Sequence, residues 1–305
     1  MQALKRASKR LTRSSHTMTS TATTTMAIAR QIPNSFLDAL SDHSGTTAND
    51  AVSLSKARMQ HDRYLQELRR HVPTLCLPAL EPHPDCAFVE DTVVAVGNIA
   101  VITRLGHESR RGEVDSVKEA LCQLGVHVVD MGEEDAGLSD RSMSRCDGGD
   151  VLYTGRHLFV GLSERTNQNG FRLLQKVFSE RLHEGNIIAV PPVIQGKDVL
   201  HLKSAVTHLD EHTILAPEGP LGDNLLQTMK SSERGYTAIR LPDVLSCNAV
   251  VVNGHVLAQN ATCEVSRERI KNACSERGLG LTFVDTSELA KKDAALTCCS
   301  VLLAV

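Results

Sequence analysis

The stretch GDVLYTGRHLFVG, residues 149–161, sets one apolar run against another across a Thr-Gly-Arg turn. It reads as strand, tight turn, strand. Three more stretches share the pattern: EDTVVAVGNIAVITR (90–104), HLKSAVTHLDEHTILA (201–216) and CNAVVVNGHVLAQ (247–259). In the last of these, Asn253-Gly254 between apolar runs is a strong hairpin signal. A fifth stretch, TCCSVLLAV (297–305), supplies one strand.

A polar residue opens each unit: Asp91, Asp150, His201, Asn248 and Cys298, separated by 59, 51, 47 and 50 positions. A fixed period of this length suggests a propeller or another closed array. Between the hairpins lie stretches with apolar residues at helical spacing. One is residues 111–124, with Val114, Val117, Ala120, Leu121 and Leu124; 169–182 and 221–229 are similar. Short apolar runs such as VHVVDM (126–131) and GNIIAV (185–190) complete ββαβ units. The fifth unit lacks a second strand, and a strand near Met26 to Ile32 is predicted to supply it, closing the ring and removing exposed edges. In such a ring the opening residues of all units meet at one end of the axis, so the repeat predicts a site holding carboxylates, one histidine and one thiol.

Composition fits this reading. The 305 residues carry a net charge of −3 and are 41% hydrophobic, which suits a globular chain able to bury a core and a deep pocket. Aromatics are 3% with no Trp, so Val, Leu, Ile and Ala must build the core. The near-neutral balance argues against nucleic acid as a partner, since phosphate neutralisation needs a basic face. No apolar run approaches the roughly 18 residues of a membrane span. Nine cysteines, an odd number with no Cys-x-x-Cys pair, point to free thiols in a reducing, cytoplasmic compartment. Residues 1–25 are Ser/Thr-rich and carry Lys5, Arg6, Lys9, Arg10 and Arg13, with no acid before Asp38. They read as a disordered tail or a mitochondrial transit peptide, leaving 26–305 as a single catalytic domain.

Taken one at a time, the candidate residues have ordinary explanations. A Cys is most often structural and buried, and isolated acids and arginines sit on surfaces. Their shared position in the repeat changes the weighing. A nucleophilic Cys298 would need a lowered pKa or a nearby base, while Cys299 would point to the opposite strand face, into the core. His201 would shuttle protons, and Asp147, in Asp147-Gly148-Gly149-Asp150, would orient it. Asp85, Glu90 and Asp91 crowd one strand start. Three carboxylates beside a nucleophile suit a cation, and a planar guanidinium takes paired carboxylates bidentately. Arg110 and Arg165, after the second strands of two adjacent units, could clamp a carboxylate at the ligand's other end. A ligand with a guanidinium at one end and a carboxylate at the other is an arginine derivative.

The stretches PDCAFVED (84–91), SRR (109–111), DGGDVLYTGR (147–156), GLSERTNQNG (161–170), LHLKS (200–204) and LTCCSVL (296–302) closely resemble dimethylarginine dimethylaminohydrolases, collinearly over residues 26–305. That family belongs to the guanidino-group modifying enzymes. The resemblance implies an α/β fold, a fivefold pseudosymmetric propeller of ββαβ units. It implies Cys298 as nucleophile, His201 as general acid/base and Asp147 as its support. It implies Asp85, Glu90 and Asp91 on the guanidinium, and Arg110 and Arg165 on the α-carboxylate. The implied reaction converts asymmetric dimethylarginine or monomethylarginine to citrulline plus dimethylamine or methylamine, removing inhibitors of nitric oxide synthase. It needs no cofactor and no metal, although Cys298 and His201 could capture an inhibitory zinc. The partner is this small molecule, with neither nucleic acid nor membrane, and the chain is expected as monomer or homodimer. Two segments depart from the family pattern: extra residues at about 138–145 and the lid at about 33–47. An arginine deiminase releasing ammonia, or a propeller-like binding protein with a vestigial site, are the competing readings.

Overall fold

In the computed structural model, residues 23–41, 51–139, 142–179, 181–191, 200–260 and 263–304 are described. The first 22 residues of the expected tail, residues 42–47 of the expected lid and 140–141 of the expected insertion lie outside them.

Five three-stranded sheets make up the β-structure. The first unit is β3 (Val93–Val96), β4 (Ile99–Ile102) and β5 (His127–Asp130). The second is β6 (Val151–Tyr153), β7 (Leu158–Gly161) and β8 (Ile187–Val190). The third is β9 (Thr207–Asp210), β10 (Thr213–Pro217) and β11 (Thr237–Leu241), and the fourth is β12 (Ala249–Val252), β13 (His255–Gln259) and β14 (Gly280–Val284). In each, the first two strands pair antiparallel as a hairpin and the third joins parallel after a helix. The fifth unit is assembled from both ends of the chain. β15 (Val301–Leu303) pairs antiparallel with β1 (Met26–Arg30), and β2 (Thr74–Leu77) joins β1 in parallel. The expected closure by the N-terminal strand is present, with Met26 opposite Leu303 and Ile28 opposite Val301.

The crossover helices are α1 (Leu54–Arg69), α2 (Asp115–Gln123), α4 (Gln168–Phe178), α6 (Gly219–Thr228) and α7 (Glu264–Glu276); α3 (Met131–Glu134), α5 (Leu202–Ala205) and α8 (Ser287–Ala290) are single turns. The stretch predicted as helix from residue 111 begins at Asp115, because Glu108–Glu113 is a 3-10 turn that holds Arg110.

Strand alternation explains why these strands read as unbroken apolar runs. In β3 and β4, Val94, Val96, Ile99 and Val101 pack toward the second unit, while Val93, Ala100 and Ile102 pack toward the fifth. Each of the five apolar clusters is shared by two neighbouring sheets and one crossover helix, and the series returns from the fifth sheet to the first. The ring is thus one continuous belt of Val, Leu, Ile and Ala. At the Asn253-Gly254 turn both residues have positive φ, 47° and 78°, as a two-residue hairpin demands.

One local expectation is corrected. The polar residues do not begin strands. Asp91, Asp150 and Cys298 sit in 3-10 turns just before them, Val89–Thr92, Gly148–Asp150 and Thr297–Cys299, and Asn248 caps the turn Leu245–Cys247. In the third unit α5 takes this place, so the run read as strand from His201 becomes strand only at Thr207. The turns are cross-linked by side chains around the axis, and a strand there would lack those partners. The Gly149 N–H donates to Asp91 Oδ1 at 2.9 Å, the Leu202 N–H to Asp150 Oδ1 at 3.1 Å, and the Thr297 N–H to Asn248 Oδ1 at 3.1 Å. The Thr297 hydroxyl donates to Glu90 Oε2 at 3.0 Å.

Candidate active site

One pocket at this end of the axis is lined by Asp85, Asp91, Arg110, Arg165, His201 and Cys298, roofed by Leu40, Ser41, Lys292 and Asp293. Six of the eight residues singled out from the sequence therefore meet at one surface. The other two stand behind it. Asp147 is fully buried against His201. Glu90 accepts from the Thr297 hydroxyl and pairs with Lys203 Nζ at 2.7 Å.

The glycines of Asp147-Gly148-Gly149-Asp150 permit this convergence. A Cβ on Gly149 would lie 2.8 Å from both Asp91 Oδ1 and His201 Nδ1, and one on Gly148 would run into the Glu90 carbonyl. Only bare backbone lets the turns of the first and second units touch.

His201 Nε2 lies 3.1 Å from Asp147 Oδ2, and Asp147 Oδ1 accepts the Gly106 N–H at 2.8 Å. His201 Nδ1 is 3.9 Å from Asp91 Oδ1. Burial works against charging this imidazole, but Asp91, the Asp147 hydrogen bond and Asp150 outweigh it and raise its pKa to about 9. Burial likewise opposes the Asp91 carboxylate, yet His201 and Arg110 hold its pKa down to about 2. Burial pushes the Asp85 carboxyl up despite Arg110 and the Leu40 N–H. It also raises Glu90, against the pull of Lys203.

Of the two conditions considered for a nucleophilic Cys298, a lowered pKa or a nearby base, the first is not met. Instead of being lowered, its pKa is pushed well above the ordinary thiol value, by burial and by the carboxylates of Glu90 and Asp91. Cys299 is buried in the same 3-10 turn, its Sγ directed to the Ala295 carbonyl. Arg110 also differs from a free clamp. Its guanidinium donates to Asp91 Oδ2 at 2.7 Å, to both Glu113 oxygens at 3.0 and 2.9 Å, and to the Phe88 carbonyl at 3.1 Å. Four of its five N–H groups are thus used inside the protein. Arg165 lines the pocket and its charge reaches Asp85, while among the described residues no hydrogen bond engages its guanidinium.

Among the described residues, one group of donors converges closely enough to hold a cation: Asp91, Asp147 and His201. Cys298 is not part of this group, although it lines the same pocket as His201. No helix among the described residues is long and apolar enough to cross a membrane.

Sequence reasoning passed over Glu113, Lys203 and Lys292, and named Asp150 only as an opening residue of the repeat, without a role. Asp150 accepts from the Ser163 and Thr166 hydroxyls at 2.6 and 2.7 Å and holds the backbone next to His201. Its place as an opening residue of the repeat was the available signal. Glu113 lies three positions after Arg110, at pairing distance on a helical turn.

A closed ring of five ββαβ units, with a thiol, an imidazolium and paired carboxylates converging at one end of its axis, defines a hydrolase acting on guanidino C–N bonds. A sequence profile of the family described as arginine deiminase matches residues 2–242. N(G),N(G)-dimethylarginine dimethylaminohydrolase of Pseudomonas aeruginosa is 30% identical, over 90% of this chain and 97% of that protein. Its counterpart in Streptomyces coelicolor is 34% identical, over 83% and 88%. A solved Pseudomonas aeruginosa structure of that enzyme, a cysteine-to-serine mutant complexed with citrulline, superposes with a TM-score of 0.75 at 26% identity, over 92% of this chain and 100% of that one. The chain belongs to the dimethylarginine dimethylaminohydrolase family.

Proposed function

We propose that the chain hydrolyses asymmetric dimethylarginine and monomethylarginine to citrulline, releasing dimethylamine or methylamine and so relieving inhibition of nitric oxide synthase. The observation that carries this reading is the meeting of Cys298, His201, Asp85 and Asp91 in one pocket with Arg165 on its wall. The acids suit a guanidinium, the arginine suits a carboxylate, and a thiol with an imidazolium suits substitution at the carbon between them.

In this reading Asp85 and Asp91 hold the guanidinium with its central carbon facing Cys298 Sγ. The thiol, neutral in the empty pocket, loses its proton to solvent once the cation offsets the charges of Glu90 and Asp91. Sulfur adds to the carbon, and His201, protonated at neutral pH, gives its proton to the departing amine. The C–N bond breaks, leaving an S-linked thiouronium on Cys298. His201, now neutral, takes a proton from water as the water oxygen attacks the same carbon. The C–S bond breaks as the new hydroxyl passes its proton to sulfur, citrulline leaves, and the thiol and imidazolium are restored. Asp147 holds the imidazole through Nε2, leaving Nδ1 for the proton transfers. No cofactor is used.

The experiment is incubation with dimethylarginine, monomethylarginine and arginine, measuring citrulline, for the wild type and Cys298→Ser. Citrulline from the methylated substrates, lost in the variant, supports the reading. Preferential use of unmethylated arginine would make the chain a deiminase instead.

A further inference from the structure

The pocket is too narrow for the proposed substrate. Its free volume is about 30 Å³, room for roughly one water, whereas small-molecule sites run to some 300 Å³ or more. An arginine derivative enters only if part of the wall moves, and the bonding around the pocket shows which part.

The root of the roof segment is fixed. Arg58 donates to the Ile32 carbonyl and to Asn34 Oδ1, and Glu81 accepts the N–H groups of Asn34 and Ser35. Phe36 is fully buried and packs edge-on against Phe88, with ring centroids 5.8 Å apart. Beyond it, Leu37 is 49% exposed. Two charged groups of opposite sign hold the tip. Lys292 Nζ donates to the carbonyls of Leu37 and Ala39 at 2.8 and 2.9 Å, and the Leu40 N–H donates to Asp85 Oδ1 at 3.1 Å. Lys292 stands on a firm base. It follows α8, where the Glu288 N–H donates to Gln60 of α1 at 2.9 Å, and the Glu288 carboxylate accepts the Ser53 N–H and pairs with Lys56.

We propose that Lys292 is a positioning residue that latches the Leu37–Ser41 tip over the pocket through the carbonyls of Leu37 and Ala39. Asp85, the second half of the latch, is shared with the guanidinium in the function proposed above, on which this inference rests. Opening the tip frees Asp85 for an entering cation. Closing it returns the Leu40 N–H to the carboxylate while the substrate is covered. Lys292 touches the backbone of the tip and not the reacting atoms, so its removal weakens closure and leaves the chemistry in place.

The test is Lys292→Met, with Lys292→Arg as the conservative variant. In ligand-free protein, amide hydrogen exchange at residues 37–41 rises about tenfold in Lys292→Met while exchange in β4 stays unchanged, because the loss is local. Lys292→Arg keeps most of the protection. For dimethylarginine, KM rises about tenfold and kcat changes less. The same rise appears with a methylated agmatine, which lacks the carboxylate. Unchanged exchange at 37–41 overturns the latch, and a KM effect confined to the carboxylate-bearing substrate reassigns Lys292 to direct binding. If the wild type makes no citrulline, the proposed function fails, while the exchange result still judges the latch.

Discussion

His201 Nε2 lies 3.1 Å from Asp147 Oδ2, and both side chains are buried. Against burial, the charge of Asp91, this hydrogen bond and the charge of Asp150 raise the imidazole pKa from 6.5 to about 9. The charged form is favoured in the folded chain. Its contribution, on the order of 3 kcal/mol from the shift, is fully present below about pH 6.5 and lost as pH rises through about 9. Thermal midpoints of the wild type should therefore fall between pH 6.5 and 9 by more than those of Asp147→Asn. Equal slopes would remove Asp147 from the support of His201. In the same assays His201→Ala should bind substrate and not turn it over; retained citrulline formation would move the proton transfers elsewhere.

The raised Cys298 pKa makes reactivity depend on the charge of the reagent. With the thiol kept neutral by burial and by Glu90 and Asp91, iodoacetamide should label Cys298 slowly at pH 7. A halo-acetamidine carries a cation into the carboxylate pocket and should label it at least about tenfold faster, consistent with attack by the thiolate. Asp91→Asn should shrink the difference. Peptide mass spectrometry resolves Cys298 from the other eight thiols, and equal rates for the two reagents would remove the electrostatic account.

Much of this arrangement is legible in the sequence because backbone periodicity writes it there. The regular spacing of Asp91, Asp150, His201, Asn248 and Cys298 reflects one polar turn per unit facing the axis, and Asn253-Gly254 marks a hairpin by its dihedral demands. What escaped was set by partners far apart in the chain. Nothing near Cys298 in sequence announces that Glu90 lies beside it, so the direction of its pKa shift was not readable. Nothing near Arg110 announces that Asp91 would claim it. The tight turns before the strands were read as strand because their partners, such as Asn248 for Thr297, come from neighbouring units.

The two pocket arginines should respond differently to removal. Arg165→Ala takes away a guanidinium that no described residue engages by hydrogen bond. It should raise KM for dimethylarginine about tenfold or more with a smaller change in kcat, the mark of lost ground-state binding. Arg110→Ala strands the buried carboxylates of Asp91 and Glu113, which costs about 3–5 kcal/mol. It should lower the denaturant midpoint sharply, whereas Arg165→Ala should leave it near the wild type. Similar midpoints for the two would contradict the ion-pair role assigned to Arg110.

Gly149→Ala tests the convergence itself. The added methyl would sit 2.8 Å from Asp91 Oδ1 and from His201 Nδ1, inside any normal contact distance. Both groups are tied down: Asp91 by Arg110 and by the Gly149 N–H, His201 by Asp147. Relief therefore requires moving the turn of the second unit away from that of the first. The Gly149–Asp91 hydrogen bond would break, and its loss together with overpacking costs about 1–3 kcal/mol. Activity should fall further than stability, by about a hundredfold or more in kcat, since misplacement of roughly 1 Å in a catalytic group is enough for that. The position tolerates no Cβ for a reason of contact and not of backbone angle. Gly125→Ala, at a turn with φ 74° and open space around it, is the matched control: it should cost stability through strain and leave kcat intact. Equal kcat for wild type and Gly149→Ala would show that the turns need not touch for the chemistry to proceed.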